Sequence, residues 1–303
     1  MRILLPTPGP RGAAYLMLTL TPLFWAGNAV IGRAMREDLP PVTFAFWRWT
    51  LAAALLLPFT LPLLRRDWVR IRRGWRILLI LGLLGITSFN TLLYHAAHTT
   101  GATNIALIQT LTPTMIAGIG LLVYGDRISA RAAGGILLGT LGALVVIARG
   151  SWSTLTRLDF VSGDLWMLLA VFLYSYHSVL LRRRPDTHPL SYLTVVFLIG
   201  VVTLAPLYLW EWSVKGAPGL TPAVAGSVLY AAAFASILAY LFWVRGIELI
   251  GAHRAGVFLT LLPLFAALLA VVFLRERLHA FHFAGGLLIL AGFWLVHRDR
   301  ATP

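Results

Sequence analysis

Polar and aromatic residues recur at helical spacing inside otherwise apolar segments, and their chemistry is the most informative feature of this sequence. Thr21, Trp25, Asn28 and Gly32 follow one another at intervals of four, three and four residues. This spacing places them on one face of a helix. In lipid, a hydrogen-bonding side chain is costly unless it faces protein or water. The stripe therefore predicts one wall of an internal binding cavity.

Three further stripes have helical spacing. They comprise Thr87, Asn90, Tyr94 and His98; Trp166, Tyr174 and His177; and Ser236, Tyr240 and Trp243. Trp and Tyr combine a flat apolar face with one hydrogen-bonding edge, which suits an aromatic or amphipathic solute better than an ion. The predicted substrate-binding residues are Trp25, Asn28, Asn90, Tyr94, Tyr174, His177, Ser236, Tyr240 and Trp243. The alternative for any one of these aromatic residues is packing between helices or in an interfacial belt.

Few ionisable groups lie inside the apolar segments. His177 lies on a stripe, where a buried imidazole could carry a coupling proton or have a structural role. Arg48 could snorkel to the membrane interface, or it could pair with a substrate carboxylate or with backbone carbonyls. The acids Glu211 and Glu248 lie near segment ends. Because no acid lies in the middle of a segment, the pattern favours neutral or zwitterionic substrates over cations.

The sequence offers little for catalysis or metal binding. Cysteine is absent, which excludes disulfides and thiolate ligands. His95 and His98 are three residues apart, but no third ligand accompanies them at a spacing typical of zinc sites. No cluster of His, Asp or Ser lies near one membrane face, as an intramembrane transferase would need. We therefore predict no enzymatic activity, no metal and no cofactor.

Long apolar segments carry these stripes. Hydrophobic residues make up 59% of the chain and charged residues 12%, which is more apolar than an ordinary soluble domain. Ten windows approach the length of about 20 residues that crosses a hydrocarbon core of about 30 Å. They cover residues 14–35, 41–64, 75–98, 102–124, 132–148, 163–181, 190–210, 221–244, 256–274 and 281–296. The predicted fold is an all-α integral membrane protein with ten transmembrane helices.

The net charge of +14 is explained by the connections between these segments. If the N-terminus is cytoplasmic, the inside loops and tails contain 17 Lys and Arg residues and the outside loops contain 7, with Arg48 inside a segment. Positively charged loops remain in the cytoplasm. Both termini are therefore predicted to be cytoplasmic, and the expected partner of the basic residues is the lipid bilayer rather than nucleic acid.

Residues 1–150 and 151–303 are predicted to be two copies of one five-helix unit, aligned without a gap. The matched pairs include Gly101 with Gly251, Pro113 with Pro263, Asp126 with Glu276, and Gly142 with Gly292. Five spans are an odd number, so the second copy must enter the membrane from the opposite face. Such inverted repeats surround a central cavity and permit alternating access. Because both halves are in one chain, a monomer is a plausible working unit.

The matched prolines lie near the middle of the fourth and ninth segments. Pro113 and Pro263 each remove one backbone hydrogen bond and clash with the preceding turn, which predicts a kink. The kinks could be passive, or they could be hinges that expose backbone polar groups to the cavity.

Adjacent opposite charges follow the same two segments. Asp126 and Arg127, and likewise Glu276 and Arg277, could anchor helix ends or act as gate latches.

The fifth segment carries a glycine face. Gly135, Gly139 and Gly142 recur at helical spacing and let a neighbouring helix approach closely. The face predicts close helix packing within the chain, with dimerisation as the alternative.

Several motifs carry a resemblance to a known family. They are Leu23-Phe24-Trp25-Ala26-Gly27-Asn28, Phe46-Trp47-Arg48-Trp49, Tyr94-His95-Ala96-Ala97, Leu111-Thr112-Pro113 followed by Gly125-Asp126-Arg127, and Leu262-Pro263 followed by Arg275-Glu276-Arg277. Over nearly its whole length the chain resembles the EamA family of the drug/metabolite transporter superfamily, and most of all the YddG-type bacterial exporters of aromatic amino acids. The family usually has a Gly-Glu pair where this chain has Gly125-Asp126. The resemblance implies a multi-pass protein of the bacterial inner membrane.

These observations predict an exporter of small neutral or zwitterionic metabolites, with aromatic or apolar amino acids as the favoured small-molecule substrates. One alternative is export of drug-like cations, which the missing central acid disfavours. The other, from a different class, is an intramembrane transferase.

Overall fold

The architecture is entirely helical within the part of the chain that the structure describes. A computed structural model describes residues 10–35, 38–97, 99–126, 128–156, 161–216, 219, 221–274 and 279–297. In these ranges nine helices are long and apolar enough to cross a membrane, and Ala280–Val296 is a shorter apolar helix. The predicted all-α membrane fold is therefore confirmed.

We number these nine helices and the shorter one α1 to α10 in chain order. The uninterrupted helices are α1 (Pro10–Ala34), α2 (Pro41–Arg73), α5 (Ala130–Ile147), α6 (Ser162–Leu180), α7 (Pro189–Lys215) and α10 (Ala280–His297). The interrupted helices are α3 (Trp75–Gly82, Leu83–Ser88, Phe89–Ala97), α4 (Ala102–Gln109, Thr112–Tyr124), α8 (Pro222–Tyr230, Ala231–Leu238, Ala239–Ile250) and α9 (Ala252–Val257, Phe258–Leu261, Leu262–Leu274). Short helices at Trp152–Thr156 and Leu181–Arg183 lie in connections.

The interruptions occur in equivalent helices of the two halves. Helices α3 and α8 each contain a central π-helical stretch, Leu83–Ser88 and Ala231–Leu238. Helix α4 breaks after Gln109, and Pro113 lies in the first turn of its second piece. A proline is well accommodated there, because the amide hydrogens of the first turn have no partner within the helix. Helix α9 narrows to a 3-10 turn immediately before the piece that contains Pro263.

Helices α5 and α10 cross through matched glycines. A Cβ atom added to Gly135 would lie 2.7 Å from the carbonyl oxygen of Gly292, and one added to Gly142 would lie 2.6 Å from that of Gly285. Adding 150 converts Gly135 into Gly285 and Gly142 into Gly292, so the two contacts are exchanged by the repeat. The early part of each helix meets the late part of the other, and the two equivalent helices are antiparallel.

A second reciprocal contact joins α2 and α7. Near the start of α2, the backbone N–H of Thr43 donates to Glu211 Oε2 at 2.6 Å, and Glu211 lies near the end of α7. At the other end, the backbone N–H of His188 donates to Asp67 Oδ2 at 2.8 Å. Each buried carboxylate thus accepts an N–H that the start of the neighbouring helix leaves unsatisfied. Equivalent helices again run antiparallel, as inverted repeats require.

Candidate substrate cavity

A cavity of about 1140 Å³ lies between the two repeats. Its wall includes both interrupted helices α4 and α9, and it contains Pro113 and Pro263. The main lining side chains besides these prolines are Trp25, Arg48, Phe89, Asn90, Gln109, Thr110, Thr112, Tyr174, Tyr240 and Thr260. Aliphatic residues of α4, α5 and α9 complete it, so the surface combines apolar area with a small number of hydrogen-bonding groups, as organic ligand sites do.

Aromatic rings form one wall of the cavity. The Trp25 ring lies edge-on to Tyr174 and Tyr240, with ring centroids 6.1 Å and 5.8 Å apart. Phe89 extends this wall, since its ring centroid is 5.2 Å from that of Tyr174. The rings come from α1, α3, α6 and α8, which are the first and third helices of each repeat. Edge-to-face contacts hold the rings in fixed orientations and leave flat apolar surface for a ligand.

Arg48 is a charged residue on the same wall and only 8% exposed. Its Nε donates to Ser236 Oγ at 2.6 Å, and its Nη2 donates to the carbonyl oxygen of Ala235 at 3.0 Å. The guanidinium also lies 4.6 Å from the ring centroid of Trp49. Arg48 therefore points toward α8. It does not snorkel to the membrane interface, which was one of the arrangements that the sequence allowed. Its partners include a backbone carbonyl, the other arrangement that the sequence allowed.

The π-helical stretches supply acceptors for this wall. A π-helix widens the turn and displaces carbonyl groups from the regular i to i+4 ladder. In α8 the carbonyl of Ala235 accepts hydrogen bonds from Arg48 and from Trp25 Nε1, the latter at 3.0 Å. In α3 the equivalent carbonyl, that of Gly85, accepts from Tyr240 OH at 3.0 Å. The two irregular stretches thereby orient the polar side chains at the cavity.

Seven of the residues singled out in the sequence line the cavity. They are Trp25, Asn90, Tyr174, Tyr240, Arg48, Pro113 and Pro263. The predicted hinge role of the two prolines stays a prediction, although both helices are interrupted beside them.

Four other predicted residues lie outside the lining of the cavity. Ser236 is buried and holds Arg48, and Trp243 is buried behind Trp25 at a ring distance of 5.8 Å. Asn28 has a buried Oδ1 without a hydrogen-bond partner among the described residues. The spacing identified the correct helical faces, but one face contains both residues that line the cavity and residues that contact neighbouring helices. The fourth residue is His177.

His177 packs between its own helix and α3. Its ring stacks on Tyr174 with centroids 5.8 Å apart, and a Cβ atom added to Gly85 would lie 2.4 Å from its Cε1. The side chain is 2% exposed and does not line the cavity. The imidazole therefore occupies space that the absent side chain of Gly85 leaves. The side chains of Tyr94 and His98 lie outside the described residues.

Sequence inspection missed the polar groups around the break in α4. Gln109, Thr110 and Thr112 line the cavity, and Thr260 does so from the equivalent part of α9. The side chains of Thr110 and Thr112 donate to the carbonyls of Leu107 and Gln109, both at 2.6 Å. The carbonyl of Gln109 would accept from residue 113 in a regular helix, but Pro113 has no N–H, so Thr112 supplies the donor instead. The signal was available, because these residues closely precede the proline.

The cavity extends toward one end of the molecule. Arg149, which follows α5, and His279, Phe281 and His282, at the start of α10, also line it. His279 and Phe281 stack with ring centroids 5.4 Å apart. These residues form the mouth of the cavity.

Ion pairs join the helices at the opposite end. Asp126, between α4 and α5, accepts from both terminal nitrogens of Arg182, with Nη1 to Oδ1 at 2.9 Å. Arg184 pairs with Glu248 of α8, which also pairs with Arg245 at 2.9 Å. Asp126 thus contacts a residue after α6. Of the two charged sequence pairs, Arg127, Glu276 and Arg277 lie outside the described residues.

A family model, several known proteins and a solved structure match this chain over nearly its whole length. The model of the EamA-like transporter family matches residues 12–148 and, a second time, residues 161–298. The uncharacterized transporter YyaM of Bacillus subtilis (strain 168) is 28% identical over 92% of this chain and 91% of its own length. An uncharacterized transporter of Archaeoglobus fulgidus is 28% identical over 93% of this chain and 96% of its own. A crystal structure at 20% identity has a TM-score of 0.76 over 93% of this chain and 95% of that chain, and so shares the fold.

Proposed function

Because the chain belongs to the EamA-like transporter family, we propose that it exports small metabolites that carry a carboxylate and an apolar or aromatic body, such as aromatic or apolar amino acids. The observation that carries this proposal is Arg48 on an aromatic cavity wall between two antiparallel repeats. The protein acts by alternating access and requires no covalent chemistry.

The charge distribution and the two ends of the cavity support transport from the cytoplasm to the outside. With 17 Lys and Arg residues on one side and 7 on the other, both termini are cytoplasmic in the plasma membrane of a bacterial cell. In this orientation the mouth at Arg149 and Phe281 opens to the outside, and the pairs Asp126–Arg182 and Arg184–Glu248 close the cytoplasmic end. The conformation described is then the outward-open one, from which substrate leaves.

Arg48 accounts for the preference for a carboxylate. A guanidinium presents N–H donors in a planar fork that matches a carboxylate, and burial strengthens such charge-assisted hydrogen bonds. Ser236 and Ala235 hold Arg48 at the cavity wall, so little side-chain entropy is lost when a ligand binds there. The same positive charge opposes a cationic drug, since like charges at close range repel.

The aromatic wall accounts for the preference for an apolar body. Tyr174 and Tyr240 each lie edge to face with Trp25, so that an aromatic or aliphatic side chain of the substrate can pack on fixed ring faces. Asn90 and Gln109 line the same cavity and offer acceptor oxygens for an ammonium group. The two repeats contribute different groups, as recognition of a chiral zwitterion requires.

Flux in proteoliposomes tests this function. Vesicles loaded with labelled Phe, Trp or Thr, or with a cationic dye, should lose Phe and Trp faster than protein-free vesicles and should retain the dye. If none of the amino acids leaves the proteoliposomes faster than it leaves protein-free vesicles, the proposed substrate class is wrong.

Two substitutions separate the role of charge from that of shape. Arg48→Gln should lower Phe flux by about 10- to 100-fold, the cost of one charge-assisted hydrogen-bonded contact of about 1.5–3 kcal/mol. Arg48→Lys keeps the charge but loses the fork, and an intermediate flux is expected. Phenylethylamine, which lacks the carboxylate and is a cation, provides the matched substrate. Arg48→Gln should not lower its slow flux and should raise it, because the substitution removes a like charge. An equal loss for both compounds would contradict carboxylate binding at Arg48.

A further inference from the structure

The C-terminal extension of α2 carries a group of arginines that do not line the cavity. Helix α2 has 33 residues, which corresponds to about 50 Å, whereas a hydrocarbon core is about 30 Å thick. Its last turns therefore continue past the core into the headgroup region. Exposed arginines occupy this extension and the start of α3, namely Arg65, Arg66, Arg70, Arg72, Arg73 and Arg76. We call these six residues the arginine collar.

The collar has very few carboxylate partners among the described residues. Within the described part of the chain, Arg70 is the one collar residue that lies within 4.0 Å of a carboxylate. Its Nη1 is 3.5 Å from Oδ1 of the buried Asp67. Arg76 lies over the ring of Trp75, with its Cζ 5.7 Å from the centroid. The collar therefore presents a concentrated positive charge that the described residues do not neutralise.

The helix that carries the collar is anchored to the loop between α6 and α7, and its surface is amphipathic. On the inner face of the extension, Asp67 binds the backbone N–H of His188 and Ile71 is buried. The outer face exposes Trp68 by 60% and Val69 by 58%, and Trp75 nearby by 54%. Tryptophan in such a position is typical of the membrane interface. Apolar side chains interleaved with arginines match the acyl–headgroup boundary of a lipid better than they match water.

We propose that the arginine collar binds anionic phospholipid in the adjacent leaflet, with the phosphates on the arginines and the upper acyl chains on Trp68, Val69 and Trp75. Clusters of four to eight basic residues next to a membrane helix attract acidic headgroups by roughly 1 kcal/mol each. Arginine suits phosphate because its fork donates two parallel hydrogen bonds. The anchored tip of α2 fixes this lipid beside the loop between α6 and α7.

Native mass spectrometry of the full chain, equilibrated with equimolar phosphatidylglycerol and phosphatidylcholine, tests the proposal. The wild-type protein should bind phosphatidylglycerol preferentially, and the preference should fall at least about tenfold in the triple variant Arg65→Gln, Arg72→Gln, Arg73→Gln. The matched control changes three other exposed arginines, Arg11, Arg131 and Arg183, to Gln. It should alter the preference by less than about twofold.

Two outcomes would overturn the collar as a lipid site: no preference in the wild-type protein, or an equal loss in the control variant. If the triple variant does not yield folded protein, a salt titration of the wild-type protein decides instead. Binding through exposed phosphate contacts should weaken as ionic strength rises. A preference that is insensitive to salt would contradict the proposal. None of these outcomes depends on which substrate the cavity transports.

Discussion

The glycine contacts between equivalent helices keep the same residue at matched positions of the two repeats, whereas the wall of the cavity has different residues at matched positions. Where α5 meets α10, Gly135 and Gly142 are matched by glycines at the same positions of the second copy. On the wall, Asn90 is matched by Tyr240, and Arg48 has a leucine as its counterpart. Around the pseudo-twofold axis the same contact forms twice, once with each copy supplying either position, so both copies must have glycine at both positions. The wall touches a ligand without twofold symmetry, so its two sides are free to differ.

The glycine crossing should be the most sensitive part of the symmetric scaffold. Gly142→Leu and Gly292→Leu would each place a Cβ atom 2.6 Å or less from a backbone carbonyl oxygen of the partner helix. We expect each to lower stability by about 3 kcal/mol or to prevent folding, because overpacking of this kind cannot relax onto a flexible neighbour. Fluorescence-detected size-exclusion chromatography after heating measures the loss. Gly134→Leu, on the open side of the same helix, is the control and should change little.

The reciprocal carboxylates should also behave as a pair. Asp67→Ala and Glu211→Ala each leave a helix N-terminus without its acceptor, at an expected cost of about 2 kcal/mol. Asp126→Ala removes a more exposed ion pair and should cost under about 1 kcal/mol. Thermal unfolding of the three variants provides the measurement. A much larger effect at one of the two buried acids than at the other would show that the two ends of the α2–α7 pair are not equivalent.

Two tyrosines on the wall allow a finer test of its asymmetry. Tyr240→Phe loses the hydrogen bond to Gly85, which should cost about 1 kcal/mol and lower flux severalfold by releasing the π-helical stretch of α3. Tyr174→Phe removes a hydroxyl that has no hydrogen-bond partner among the described residues, and it should have almost no effect on stability. Paired unfolding and flux measurements on both variants check this. Equal losses would mean that the carbonyl contact does not orient the wall.

His177 should have the smallest effect on transport. Since it packs on Gly85 and Tyr174 and does not line the cavity, His177→Ala should leave the pH dependence of flux unchanged while lowering stability modestly. Flux under an imposed proton gradient, measured for wild type and variant, provides the test. A flattened pH profile in the variant would make His177 the coupling site after all.

Periodicity identified the helical faces better than it identified the residues that reach the cavity. Trp25 and Tyr240 line it as the stripes predict, but Trp243 is one turn further along the same face and packs behind Trp25. Spacing along a helix specifies an angle, whereas access to a cavity also depends on depth and on the neighbouring helix. Gln109 and Thr260 show the converse, because they lie on the wall without belonging to any recognised stripe.

By itself the sequence determined the membrane class, the all-helical fold, the repeat and its inversion, since these depend on hydrophobic length, a constant offset and an odd span count in each half. The tertiary structure alone decided which way Arg48 points and where α3 and α8 become π-helical. An arginine inside a segment can satisfy itself in several ways, and a π-helical turn has no residue signature of its own. Both depend on which carbonyl groups a neighbouring helix brings within hydrogen-bonding distance, and only the packed arrangement fixes that.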